Sequence, residues 1–162
     1  MITNDASFGR YGKSFQEGLV QLIYEDRPFA DQITEVLNQS FLELEYLRIF
    51  LQKIVDYRNR YGRHPSIQAI TIILKTELDN EDEVIQRQVR EYFLRIHNHE
   101  LSDAEYIKET ALDFCRKQNL KEAMLKSVEL LQNCSFDEIS TVINEALKLG
   151  SENNFGYDYM AD

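Results

Sequence analysis

Proline and glycine are scarce, at two and six residues in a chain of 162. Those are the residues that punctuate helices, and the stretch 79–133 contains neither. Between residues 14 and 149 the helical apolar spacing is almost unbroken, so an all-α fold is expected. Cysteine is equally thin. Cys115 and Cys134 are too few and too isolated for a disulfide framework or a metal site, and are expected as reduced thiols of an intracellular protein. Long apolar runs are missing as well. None approaches 18 residues, and Met1 opens no charged-then-apolar leader, so neither a membrane span nor export is expected. Positive charge is in deficit, with 18 Lys and Arg against 28 Asp and Glu for a net charge of −10. Such a chain lacks the field that drives non-specific nucleic-acid binding. Direct DNA contact is expected to be weak or absent unless a local patch or a partner supplies it.

What is present is a 43% apolar content, enough for a core, arranged mostly in helical stripes. Residues 79–133 read as two long helices joined by a polar turn at Glu100–Asp103. Ile85, Val89, Tyr92 and Ile96 mark the first, with Phe93 beside them. Ile107, Ala111, Phe114, Leu120, Met124, Val128 and Leu131 mark the second. At about 29 residues the second would reach roughly 43 Å, longer than a small core. Its stripe therefore needs a partner surface, its own domain's or another copy's.

The remaining segments follow from local signals. Residues 1–13 read as a flexible polar arm. Residues 14–78 read as a helical head. Ser14 with Glu17 forms a capping-box pattern ahead of Phe15, Leu19, Leu22 and Ile23. Arg27-Pro28 ends that helix, and a short helix with Phe29, Ile33, Val36 and Leu37 inward follows. The next helix spans about residues 42–61 with the stripe Leu44, Leu47, Phe50, Leu51, Ile54, Tyr57 and Tyr61, stopped by Gly62. Ser66 after Pro65 can cap residues 67–78. Ile67, Ile70, Ile72, Ile73 and Leu74 would suit a buried strand almost as well, but helix is expected because no second strand is visible. Ser135 with Glu138 is a second capping-box pattern, opening an amphipathic linker helix within residues 134–150. The acidic tail, residues 151–162, reads as a disordered tail or truncated linker.

Catalytic signals are weak. Gly12-Lys13-Ser14 matches only the end of a phosphate-binding loop, because Ser7 stands where another Gly is required. His97-Asn98-His99 ends a helix, where the macrodipole alone favours His, and has no further ligand nearby, so no metal and no cofactor are expected. Glu43, Glu45, Asp79, Glu81, Asp82 and Glu83 sit near helix starts, where acids are stabilising and solvated. No nucleophile has a visible base, so no catalytic residue is assigned. Arg58, Arg60 and Arg63, with His64, Tyr57 and Tyr61, form the one basic and aromatic cluster. It would serve either a small nucleic-acid-binding adaptor or, as preferred here, pairing with acidic neighbours. The linker helix is too short to be stable alone; it folds back on its own domain or lies in the groove of another.

Phe15-x3-Leu19-x2-Leu22-Ile23, the Phe41–Tyr61 helix, the Tyr61-Gly62-x2-Pro65-Ser66 turn and the helix after it resemble the N-terminal head of DnaB-type replicative DNA helicases, most closely the phage and virus-like branch. The segments 81–132 and 136–149 resemble that family's helical hairpin and linker helix. The resemblance implies a domain without ATPase activity that pairs through the hairpins and forms a collar of dimers in a hexamer. It implies docking of a primase or helicase loader, and cytoplasmic residence in a bacterium or phage-infected host. It would place subunit pairing on Tyr92, Ile96, Ile107, Phe114 and Met124. It would place linker docking, against the ATPase domain of the neighbouring subunit, on Ile139, Val142, Ile143 and Leu147. The family's phosphate-binding loop is not within these residues, so an excised fragment and a stand-alone relative without the motor are both open.

Overall fold

A computed structural model describes residues 6–133 and 136–153, with side chains up to Gly150. Among the described residues the chain is all-helical, with no strand. The helices are α1 (Gly12–Glu25), α2 (Arg27–Ile33), α3 (Glu45–Tyr61), α4 (Ile67–Thr76), α5 (Glu83–Ile96), α6 (Ala104–Gln132) and α7 (Phe136–Asn153).

The helix boundaries have local causes. The break between α1 and α2 is made by Asp26. Its extended backbone (φ −111°, ψ 97°) ends α1 with its N–H on the Leu22 carbonyl, and its Oδ1 accepts from Phe29 N at 3.1 Å to open α2. Gly62 closes α3 in the left-handed region at φ 67°, donating to the Arg58 carbonyl. Ser66 Oγ accepts from Ala69 N at 3.1 Å and starts α4. The 67–78 segment is thus a helix, in which Thr71 and Thr76 return their hydroxyls to the Ile67 and Ile72 carbonyls. Asp82 caps α5 through Val84 N at 3.2 Å.

Three sequence expectations fail here. Ser14 and Glu17 do not form a capping box, because α1 begins two residues earlier at Gly12 and places Ser14 inside its first turn. Gly12 makes this entry with φ 87°, a conformation that costs glycine little. Residues 6–13 are not a loose arm, since Phe8 is fully buried. Its N–H donates to the Phe41 carbonyl at 2.7 Å, and its ring lies 5.7 Å from Phe15 and 6.1 Å from Phe41. The linker helix runs past Gly150 to Asn153, because a single glycine in a helix costs only about 1 kcal/mol. Ser135, the proposed cap of that helix, and residues 154–162 of the tail lie outside the described residues.

Two compact units are present. Unit one holds residues 1–31 and 38–108; unit two holds residues 32–37 and 109–162. Within unit one α3 packs principally against α5 and next against α1. The contact is aromatic. Phe50 of α3 meets Tyr92 edge-on at 5.4 Å and Phe93 at 5.9 Å, and Tyr24 of α1 meets Phe50 and Phe93 at 5.8 Å each. Leu19, Ile23, Leu47, Leu51 and Ile54 complete this core, all with no exposed surface. Gly18 lets α1 approach the start of α6, since an added Cβ would fall 2.9 Å from Ile107 Cδ1. Unit two buries Ile33, Val36, Ala111, Phe114, Cys115 and Ala123. There Asn119 Nδ2 donates to the Val36 carbonyl at 3.1 Å, tying residues 32–37 to α6.

Phe50→Ala is expected to destabilise the protein by about 3–5 kcal/mol, because its ring contacts with Tyr24, Tyr92 and Phe93 and their packing are lost. Ile67→Ala should change stability by less than about 0.5 kcal/mol, Ile67 being 57% exposed. Urea denaturation of the two variants checks both.

Candidate docking surfaces

Of the five residues assigned to subunit pairing, four are already covered within the chain. Tyr92 has no exposed surface, and Ile96, Ile107 and Phe114 are 3–7% exposed. Tyr92 is held further by its hydroxyl, which donates to the Glu17 carbonyl at 2.6 Å. The α5 face expected to await another copy is therefore turned into its own unit. Met124 differs, at 58% exposed. It lies in a stripe of α6 with Leu120, Val128 and Leu131, which are 36–59% exposed. Leu120, Met124, Val128 and Leu131 fall within about 80° of arc at about 100° per residue. Buried Ala123 lies outside that arc. The stripe belongs to the C-terminal part of a helix in which the earlier stripe residues Ile107, Ala111 and Phe114 are covered.

On α7, Phe136 and Leu147 are exposed, while Ile139, Val142 and Ile143 are half-buried. The linker face predicted from sequence is thus partly covered, with a large aromatic at one end left open.

The three arginines are not one patch. Arg58 is engaged inside unit one, ion-paired with Asp31 and 2.9 Å from His64 Nδ1. His64 Nε2 lies 2.5 Å from the Tyr24 carbonyl, so Nε2 carries the proton and Nδ1 accepts from Arg58. Arg58 thus pairs with an acid of its own unit. Arg60 faces elsewhere, over the Tyr61 ring at 5.5 Å, and the Tyr57 and Tyr61 rings are 4.7 Å apart. Arg63 is exposed. Between α3 and α4 a groove of about 330 Å³ is lined by Lys53, Tyr57, Arg60, Tyr61, Ile72 and Ile73. Sequence reasoning found its aromatic and arginine wall but missed the isoleucine wall. The 67–78 spacing was divided between strand and helix, so its outward face was undefined.

The titratable groups are structural in their contacts. Glu17, which the sequence marked only as a helix-capping residue, accepts from Arg95 at 2.7 Å and from the Tyr46 hydroxyl. Burial pushes the Tyr46 and Tyr92 phenols upward, with Glu17 adding to both. Burial also pushes Tyr24 up to about 12 and the Cys115 thiol up to about 12, so Cys115 is a packed thiol and a poor nucleophile. Cys134 lies outside the described residues. His97 Nδ1 is 2.7 Å from the Phe93 carbonyl, and His99 Nδ1 is 3.0 Å from Gln21 Oε1. Among the described residues no three His, Cys, Asp or Glu side chains gather as a metal set, and no helix is long and apolar enough to cross a membrane. Among the acids singled out in the sequence, Asp82 serves as a helix cap, Glu45 stands in the first turn of α3, and Glu43, Asp79 and Glu83 are exposed. No family model, curated protein or solved structure matches this chain.

Lys108 Nζ pairs with Asp26 Oδ2 at 2.5 Å, and the hydrogen bond from Lys108 holds the Asp26 carboxyl below its usual range. The same contact raises Lys108. Asp26 therefore adds stability above its unfolded pKa of about 3.9, lost as pH falls through its lower folded value. Lys108 adds stability below about 10.4, lost as pH rises through its higher folded value. Lys108→Met is expected to cost about 1 kcal/mol near neutrality and to flatten both limbs; thermal melts between pH 2 and 11 read the change.

Proposed function

We propose that this chain is a non-catalytic oligomerisation and docking module of the kind that forms the N-terminal collar of a DnaB-type replicative helicase. The observation that carries the reading is the α6 stripe of Leu120, Met124, Val128 and Leu131, an apolar face left open on a helix of 29 residues. Contiguous exposed apolar surface of this kind marks an association site. A second copy is the partner proposed for it, because a straight stripe on one helix can pair with its own symmetry mate in an isologous contact. The interface thus moves from Tyr92, Ile96, Ile107 and Phe114, which the chain itself covers, to the turns around Met124.

In this reading α7 is a second docking element, placed against a neighbouring subunit through Ile139, Val142, Ile143 and Leu147. In a full helicase that subunit would also contribute an ATPase domain, and a primase or loader would dock on the collar. Salt-sensitive nucleic-acid binding through Arg58, Arg60 and Arg63 has less support, because Arg58 is committed to Asp31 and His64.

Sedimentation at roughly 100 micromolar chain is expected to show a mixture of single chains and pairs, since an interface of about 5–6 kcal/mol is about half formed there. The double variant Met124→Asp/Val128→Asp should sediment as a monomer with unchanged helicity, both positions being more than half exposed in the single chain. A wild type that stays monomeric, or a variant that still pairs, rejects the assignment. Ile107→Asp or Phe114→Asp would instead report on folding, because both residues are buried before any partner arrives.

A further inference from the structure

A pocket where α1, α4 and α5 meet holds a polar group with no assigned role. Its volume is about 420 Å³, and Tyr24, Glu25, Pro65, Ser66, Ile67 and His97 line it. Tyr24 is only 8% exposed, and its hydroxyl is buried with no hydrogen-bond partner among the described residues. The two comparable phenols of unit one do not share this condition, since Tyr46 and Tyr92 both bond to Glu17. Buried hydroxyls are paired as a rule, so one left over calls for a ligand or costs stability. Burial raises the Tyr24 phenol to about 12 and the Glu25 carboxylate adds to it, which puts that carboxylate within electrostatic reach of the hydroxyl.

The lining accepts hydrogen bonds and carries negative charge. Glu25 Oε2 accepts from Gln21 Nε2 at 3.2 Å, and Oε1 is left open. His97 Nδ1 is 2.7 Å from the Phe93 carbonyl, so it carries the ring proton and Nε2 of the neutral ring is an acceptor. Glu25 is the last residue of α1 and His97 follows the last of α5, so two helix C-termini add negative partial charge. The N-terminus of α4 opposes them, but Ser66 Oγ already covers its Ala69 N–H. No Lys or Arg lines the pocket. The remaining wall is apolar, with Pro65 buried and Ile67 57% exposed.

We propose that this pocket binds a primary alkylammonium group, the chemistry of a lysine side chain or of a free alkylamine. The Glu25 carboxylate is its counter-ion, and His97 Nε2 and the Tyr24 phenol oxygen complete the acceptors. An ammonium has three N–H donors, one for each of the three. Pro65 and Ile67 face its alkyl stem. An anion is excluded, because it would meet Glu25 and both helix C-termini. Glu25, Ile67 and His97 are exposed, so the incoming group reaches the closed-off phenol by moving side chains and no backbone. The site lies within unit one and does not depend on α6 pairing.

The test titrates the full chain with n-butylamine and, separately, with a blocked Ala-Lys-Ala peptide, following the His97 and Tyr24 ring signals by NMR at fixed pH and salt. At least one probe is expected to shift both rings saturably, with a dissociation constant of about 1 mM. Tighter binding of the peptide assigns the pocket to a lysine of a partner protein, and tighter binding of butylamine to a free amine. Glu25→Lys should abolish the shifts. Asp56→Lys makes the same charge change at an exposed acid of α3 outside this pocket, and should leave the affinity within about twofold. Tyr24→Phe should weaken binding about tenfold and yet melt no lower than wild type, because the hydroxyl it removes has no partner inside the chain. A melting temperature lowered by more than about 2 °C would mean that the hydroxyl is already paired within the fold, and overturns the proposal. So does a failure of both probes to saturate, an unchanged affinity in Tyr24→Phe, or an equal loss in Asp56→Lys.

Discussion

The Tyr92 phenol sits where water does not reach, and a buried hydroxyl without a partner costs several kcal/mol. Its partner is the main-chain carbonyl of Glu17, 2.6 Å away on α1. That one bond fixes where α5 must lie along α1, and the Phe50 ring edge-on to Tyr92 then fixes α3 between them. The Glu17 side chain repeats the arrangement from outside, holding Arg95 of α5 and the Tyr46 hydroxyl of α3. One residue of α1 therefore engages both neighbouring helices, through its backbone and its carboxylate. The rest of unit one follows from satisfying that polar pair inside an aromatic core.

How far the sequence reveals this depends on the kind of signal. Local punctuation acts at its own position, Gly62 through its left-handed backbone and Ser66 through its capping hydroxyl, so both could be read directly and stand where expected. The all-helical class could be read from the 3.6-residue apolar spacing repeated along the chain. Phe8 could not, because its burial depends on Phe15 and Phe41, and nothing within a few residues of it is periodic. Ser14 and Glu17 carry a capping pattern that a more favourable start at Gly12 pre-empts. The hardest case was the choice of surface. Tyr92, Ile107 and Phe114 show the same 3.6-residue spacing as Met124 and Val128, and periodicity says which residues share a face without saying what covers it. Only the fold separates the covered turns from the open ones.

The basic cluster shows the same limit in electrostatic form. Arg58, Arg60 and Arg63 are neighbours in sequence, but positions two and three apart on a helix and its cap point in different directions. Arg58 turns inward to Asp31 and His64, and Arg60 turns over Tyr61. Charge counted along the chain overstated what any one partner would meet.

The division of the chain has a consequence for dissection. The backbone passes between the two units three times, near residues 31, 37 and 108. Unit two is therefore not a contiguous piece, and its short segment, residues 32–37, is held by the Asn119 amide on the Val36 carbonyl. A chain stopped after Lys108 would keep Ile33 and Val36 but lose the helix that fastens them. Anyone cutting this protein in two would leave a greasy stub on the half they meant to keep clean.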